Sequence, residues 1–194
     1  MNRIDHCALK RRIAKADLPG IPKDASYRLA CVFFLLFNTE NPSLVTIKKA
    51  DTEGYPWRNQ MALPGGHIDE NDPTPLESAY RELKEELNIP RDQVELIGSM
   101  GHFQTINRRD IEVFIGIWNG KGQIRYEKAE IARVLEIPVS KLIQIHKERG
   151  FNDRMPDVLE LTYPVEDVVI WGVTAKILHF FIERIVPFSQ RESL

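Results

Sequence analysis

Residues Pro64 to Ile89 read PGGHIDENDPTPLESAYRELKEELNI, a glycine turn, an acidic loop and one amphipathic helix. At about 100° per residue, Glu82, Glu85 and Glu86 fall within roughly a third of the helix circumference. Leu76, Ala79, Tyr80, Leu83 and Leu87 gather on another arc, which faces the core. Asp72 or Thr74 caps the start of a helix over Thr74–Leu87, and Pro75 is tolerated in its first turn. Asn88 and Pro90 end it, because asparagine adopts the left-handed conformation and proline cannot continue a helix. Carboxylates at i,i+4 repel by a few tenths of a kcal/mol, so this cluster opposes helix stability unless a cation offsets it. A solvated acidic face is the ordinary explanation of such a pattern. The glycine turn before it and Arg81 beside it set this one apart.

Outward from the helix, Gln60–Leu63 is a short strand feeding the turn, and Ala50–Asn59, with Gly54 and Pro56, is a loop placed for substrate contacts. The run Tyr27–Phe37 (YRLACVFFLLF) is apolar and too short to cross a membrane, which fits a strand buried on both faces. Leu44–Lys48, Val94–Met100, Asp110–Trp118, Val134–Val139 and Val158–Tyr163 read as further strands, with Asn119–Gly122 a turn and Ser140–His146 a short helix. A polar and basic segment over Asn2–Asp17 forms an outer helix, broken at Leu18-Pro19-Gly20-Ile21-Pro22. Ile170–Ile185 is a strongly apolar helix stopped by Pro187, its Ile177, Phe180, Phe181 and Ile185 serving either the core or a homodimer interface. Strands and helices without regular βαβ alternation predict a mixed sheet between helices. The expected division is an N-terminal helical extension over 1–24 and one domain over 25–190.

The composition is that of an ordinary soluble globular protein, 43% hydrophobic and 28% charged. A net charge of −2 gives no electrostatic reason to expect nucleic acid as a partner. Cys7 and Cys31 are too few for a disulfide framework, and no paired-cysteine motif suggests zinc. The charged Met1–Lys15 stretch carries no signal-peptide core, and the expectation is a cytoplasmic protein off the membrane.

The central stretch resembles the signature of the Nudix hydrolases, G-x5-E-x7-R-E-U-x-E-E-x-G-U with U aliphatic. Gly66, Arg81, Glu82, Leu83, Glu85, Glu86 and Ile89 stand at the matching places. Asp72 replaces the first glutamate, eight residues rather than seven separate it from Arg81, and Asn88 replaces the late glycine. The first two departures, with the segments Gln60–Gly66, Glu130–Val139, Tyr163-Pro164 and Ile170–Leu178, are similar to the coenzyme A pyrophosphatase branch. The likeness covers most of Leu44–Glu183. Where that branch has an arginine after its second strand and a glycine shortly before the box, this chain has Lys48 and Asn59.

The resemblance implies an α/β/α sandwich and hydrolysis of a diphosphate linkage in a nucleoside diphosphate derivative, a coenzyme A-like compound first. ADP-ribose, a nucleotide sugar or a dinucleotide polyphosphate is the alternative, and a non-catalytic nucleotide-binding module a more distant one. Clustered carboxylates are the hard oxygen ligands that Mg²⁺ or Mn²⁺ prefers. The resemblance assigns Glu82, Glu85 and Glu86 to that metal, with the Gly65 carbonyl as a further ligand, and Arg81 to orienting the glutamates. Glu130, then Glu127, is the candidate general base. Lys48, Arg58, Gly66 and His67 are the expected substrate contacts, and Trp57 offers an aromatic face. His102 lies between strands where it could line a pocket, whereas His179 and Trp171 read as core or interface.

Overall fold

A computed structural model describes residues 5–54 and 57–186. The chain runs through α1 (His6–Lys15), β1 (Arg28–Phe37), β2 (Ser43–Lys49), β3 (Met61–Ala62), β4 (Gly65–His67), α2 (Pro75–Leu87), β5 (Val94–Gln104), β6 (Arg109–Trp118), β7 (Ile131–Pro138), α3 (Val139–Glu148), β8 (Tyr163–Val165), β9 (Val168–Ile170) and α4 (Gly172–Phe180). α4 continues as a π-helical turn over Phe181–Ile185. The expected helix start at Asn2, the Pro56 loop signal and the Pro187 stop lie outside the described residues.

β1 organises a mixed sheet because its apolar run has no polar face. Cys31, Phe33 and Leu35 point into one core with Ala79, Leu83 and Leu87 of α2. Phe34 and Leu36 point into another, shared with α1, α3 and α4. Each fully buried aliphatic or aromatic side chain contributes about 1.5–3 kcal/mol, so a strand buried on both faces fixes the layering of helices on either side. β1 runs parallel to β6 from Arg28–Arg109 to Phe37–Trp118, and β5 lies antiparallel beyond β6. On its other edge β1 is shared: β4 pairs with its first half and β2 with its last residues. β2 then carries β3 and β7 away from it.

Several elements depart from expectation. β4 was expected as a turn, yet Gly65–His67 pairs with β1. β5 runs on to Gln104 because register shifts at Leu96/Gly98 and Ser99/His102 absorb its twist. Val158–Tyr163 is not a strand: the Asp157 carboxylate accepts the Leu159 and Glu160 N–H groups at 2.8 and 2.9 Å. This local turn leaves Val158 and Leu159 66% and 87% exposed. Only Tyr163 of that run enters a strand. Ile177, Phe181 and Ile185 belong to the core, with the Phe181 ring centroid 4.3 Å from that of Phe34. Trp171, by contrast, is half exposed.

Candidate active site

The divergence of β2 from β4 along β1 opens a cavity of about 700 Å³. Its walls come from Ala30 and Val32 of β1, the end of β2, β3, β4, the start of β6, the Glu127–Ile131 segment and α4. Two glycines make the approach to α2 feasible. Gly65 has φ +140°, and a Cβ there would lie 2.3 Å from the Cys31 carbonyl oxygen. A Cβ on Gly66 would sit 2.6–2.8 Å from the Glu82 carboxyl atoms. The bare backbone of β4 is what lets Glu82 reach the cavity.

α2 forms as its sequence dictates. Thr74 is the cap, its hydroxyl accepting the Glu77 N–H at 3.2 Å, and Asn88 closes the helix at φ 58°. Asp72 is freed from capping and takes Arg81 instead, accepting from Nε at 3.2 Å and from Nη2 at 2.9 Å. The same guanidinium is held by Ser78 Oγ and the His67 carbonyl. Its remaining nitrogen donates to Glu82 at 3.0 Å and Glu85 at 2.8 Å. Arg81's hydrogen bonds, then the Asp69 N–H, hold the Asp72 carboxyl well below the usual carboxylate range. Burial raises Glu82, against the opposing pull of Arg81. Glu86 accepts the Lys49 ammonium at 2.7 Å on one oxygen and the Gly65 N–H at 2.8 Å on the other.

The same cavity also carries a cationic and aromatic group. The Arg109 guanidinium lies over the Trp57 ring, 4.8 Å from its centroid, and also contacts His67 Nε2. Burial, then the charges of Arg109 and Arg28, lowers the His67 pKa, keeping its imidazole neutral. Val32, Leu63, Ile111, Val173 and Ile177 supply apolar lining to the same cavity.

The cavity therefore gathers Glu82, Glu85, Glu86, Gly65, Gly66, His67, Glu127 and Glu130 of the expected site residues. Arg81 stands directly behind the glutamates. Lys48 and Arg58 are not among the lining residues. Lys48 lies within electrostatic reach of Asp167, whose carboxyl is lowered chiefly by its hydrogen bond from Arg133 and least by the charge of Lys48; Arg58 is exposed, 3.8 Å from Asp51. Strand alternation is the reason for Lys48: Val45, Ile47 and Lys49 share the face toward α2, and Lys48 takes the other. His102 is held by Asp110 at 2.8 Å away from the cavity, and His179 Nε2 donates to the Arg154 carbonyl at 2.8 Å. Lys49 and Arg109 were missed by sequence reasoning. Lys49 was signalled by its alternation with Val45 and Ile47, Arg109 only as a basic residue at the start of a strand.

Among the described residues, no group of three or more Asp, Glu, His or Cys side chains is arranged to hold a metal ion. The donor set nevertheless fits a hard divalent cation. Three carboxylates one helical turn apart line one wall, the Gly66 face is bare beside Glu82, and the Lys49 ammonium already rests on Glu86 as a stand-in cation. Gly65 meets Glu86 through its N–H, a contact distinct from the expected carbonyl role.

A family model described as the NUDIX domain matches residues 27–160. The uncharacterized Nudix hydrolase NudL of Photorhabdus laumondii is 26% identical over 178 residues, covering 87% of this chain and 92% of the relative. Its counterpart in an Enterobacter species is 28% identical over 169 residues, covering 82% and 84%. Among solved structures, the NUDIX domain of Shewanella oneidensis NrtR complexed with ADP ribose superposes with a TM-score of 0.53 at 16% identity, covering 91% of this chain and 97% of that one. A MutT/nudix family protein from Enterococcus faecalis gives 0.51 at 17% identity, covering 91% and 73%.

Proposed function

This chain belongs to the Nudix family and is a pyrophosphohydrolase of that family, and from that premise we propose that it cleaves the diphosphate linkage of a nucleoside diphosphate derivative at the cavity beside α2. One observation carries the reading: Glu82, Glu85 and Glu86 line one cavity together with Arg109, His67 and Trp57. Acid residues to hold a divalent cation and basic residues to hold phosphate oxygens are thereby brought to one space that suits a small-molecule ligand.

The three glutamates would hold Mg²⁺ or Mn²⁺, with the Gly65 carbonyl a further ligand, and the chemistry supplied there is neutralisation of the diphosphate charge and activation of water. The chain's own groups do the rest. Arg81, anchored by Asp72, Ser78 and the His67 carbonyl, fixes where Glu82 and Glu85 point. Glu130, or its neighbour Glu127, is the carboxylate at the cavity edge that takes the proton of the attacking water. Arg109 grips phosphate oxygens with a fork geometry, and Trp57 offers its ring to an aromatic base.

The apolar lining residues offer contacts to the methylene and dimethyl groups of an extended arm beside the diphosphate, hence a coenzyme A-like compound first. ADP-ribose is the second reading, because a structural neighbour is complexed with it. A panel of diphosphate compounds with Mn²⁺ or Mg²⁺, products identified by mass spectrometry, separates the two. In that panel Arg109→Ala should raise KM about tenfold or more, the worth of one lost charge-assisted hydrogen bond. Lys48→Ala and Arg58→Ala should leave KM unchanged if Arg109 and Lys49 carry the phosphate contacts.

A further inference from the structure

Each carboxylate of the proposed metal site is already answered by a cation of the chain itself, and the two cations are built differently. Arg81 is anchored from behind by Asp72, Ser78 and the His67 carbonyl. It stays in place whichever way Glu82 and Glu85 turn. Lys49 reaches Glu86 on a flexible four-carbon stem that ends in a compact point charge. It ends β2, where the register with β7 shifts between Lys48 and Lys49, and it lines the cavity.

The Lys49–Glu86 pair is 2.7 Å long, with the side chains only 15% and 7% exposed. Glu86's second oxygen is taken by the Gly65 N–H. A divalent cation on Glu86 and an ammonium on the same carboxylate repel each other strongly where water is scarce, so the two occupants compete. The displaced ammonium has the cavity beside it, where an anionic diphosphate would lie. We propose that Lys49 is a resident counter-ion that yields Glu86 to the divalent cation and turns its charge onto a phosphate oxygen of the substrate.

This inference rests on the metal-dependent reading of the site. It makes metal and substrate binding mutually reinforcing, since each favours the arrangement in which Lys49 faces the cavity. It also gives Lys49 a role in both binding steps that Lys48, on the opposite side of the strand, does not share.

The test is Mn²⁺ binding without substrate, followed by electron paramagnetic resonance of free Mn²⁺, on the full-length wild type, Lys49→Gln and Lys49→Arg. The expected result is that Lys49→Gln binds Mn²⁺ about tenfold more tightly than wild type, while Lys49→Arg, which keeps the charge, stays close to wild type. A non-cleavable α,β-methylene nucleoside diphosphate should then tighten Mn²⁺ binding in wild type by a larger factor than in Lys49→Gln. Equal or weaker Mn²⁺ binding by a folded Lys49→Gln protein would overturn the proposal and leave the metal site standing. Absence of Mn²⁺ binding in all three proteins would overturn both. Should Lys49→Gln fail to fold, the wild-type arm alone decides: no tightening of Mn²⁺ binding by the analogue contradicts the exchange.

Discussion

At the cavity, Arg81 and Lys49 answer Asp72, Glu82, Glu85 and Glu86; at the other pole, His146 sits between Tyr163 and Glu183. The second network is closed. His146 pairs with the Tyr163 hydroxyl at 2.8 Å and with Glu183 at 3.0 Å, and Glu183's other oxygen accepts the Asp153 N–H at 2.9 Å. Phe151 packs against both rings, and burial raises the Tyr163 pKa, keeping the phenol protonated. The first network holds more carboxylates than cations and opens onto a cavity. Both use buried polar groups, which are costly unless satisfied. The one that is satisfied internally ties α3 to the C-terminal helix, and the one left with surplus negative charge is where a cation and a substrate belong.

That contrast predicts opposite consequences for mutation. Glu86→Gln should lower kcat on the order of 10³-fold at saturating Mn²⁺ while circular dichroism shows an unchanged fold. Retained turnover would erase the distinction between the two networks. Gly66→Ala pushes a methyl group into the Glu82 carboxyl, which is the end of a flexible side chain and gives way. About 10–10² in kcat should be lost through that misplacement, again with little change in stability.

His146→Leu should do the reverse. It strips partners from Tyr163 and Glu183, costing about 1–3 kcal/mol in urea unfolding with kcat unaltered.

Asp72→Asn offers the finest discrimination. Arg81 holds the folded Asp72 value below the unfolded one. Its contribution to stability is therefore full above the unfolded value of about 4 and drains away as pH falls through the folded value. Thermal melts across the acid range should show a shallower loss in Asp72→Asn than in wild type. Parallel acid limbs would mean that Arg81 is held by its other partners.

Much of this was legible in the chain because α2 obeys local rules. The 3.6 period placed Leu83 and Leu87 in one core and the glutamates on another arc, and Asn88 ended the helix where its left-handed conformation permits. β1 was legible for the same reason, its unbroken apolar run allowing no solvent face. The misreadings have tertiary causes. Gly65-Gly66-His67 looks like a turn, and only the shared edge of β1 makes it a strand. The apolar residues of Val158–Tyr163 suggested a strand, but the Asp157 side chain offered the backbone a turn instead. Lys49 rather than Lys48 reaches the glutamates because strand alternation puts it on the α2 face with Val45 and Ile47, one residue past the strand end expected at Lys48. Arg109 meets His67 and Trp57 only after β6 is laid parallel to β1.

The most direct test of the diphosphate-cleaving site is to incubate the wild type with coenzyme A and with ADP-ribose in ¹⁸O-labelled water containing Mn²⁺, and to weigh the products. The account predicts two phosphomonoesters from the preferred substrate, their masses summing to substrate plus one water, with the heavy oxygen on one of the two phosphates and no turnover after chelation. Release of inorganic phosphate alone, or equal turnover by Glu86→Gln, would contradict it.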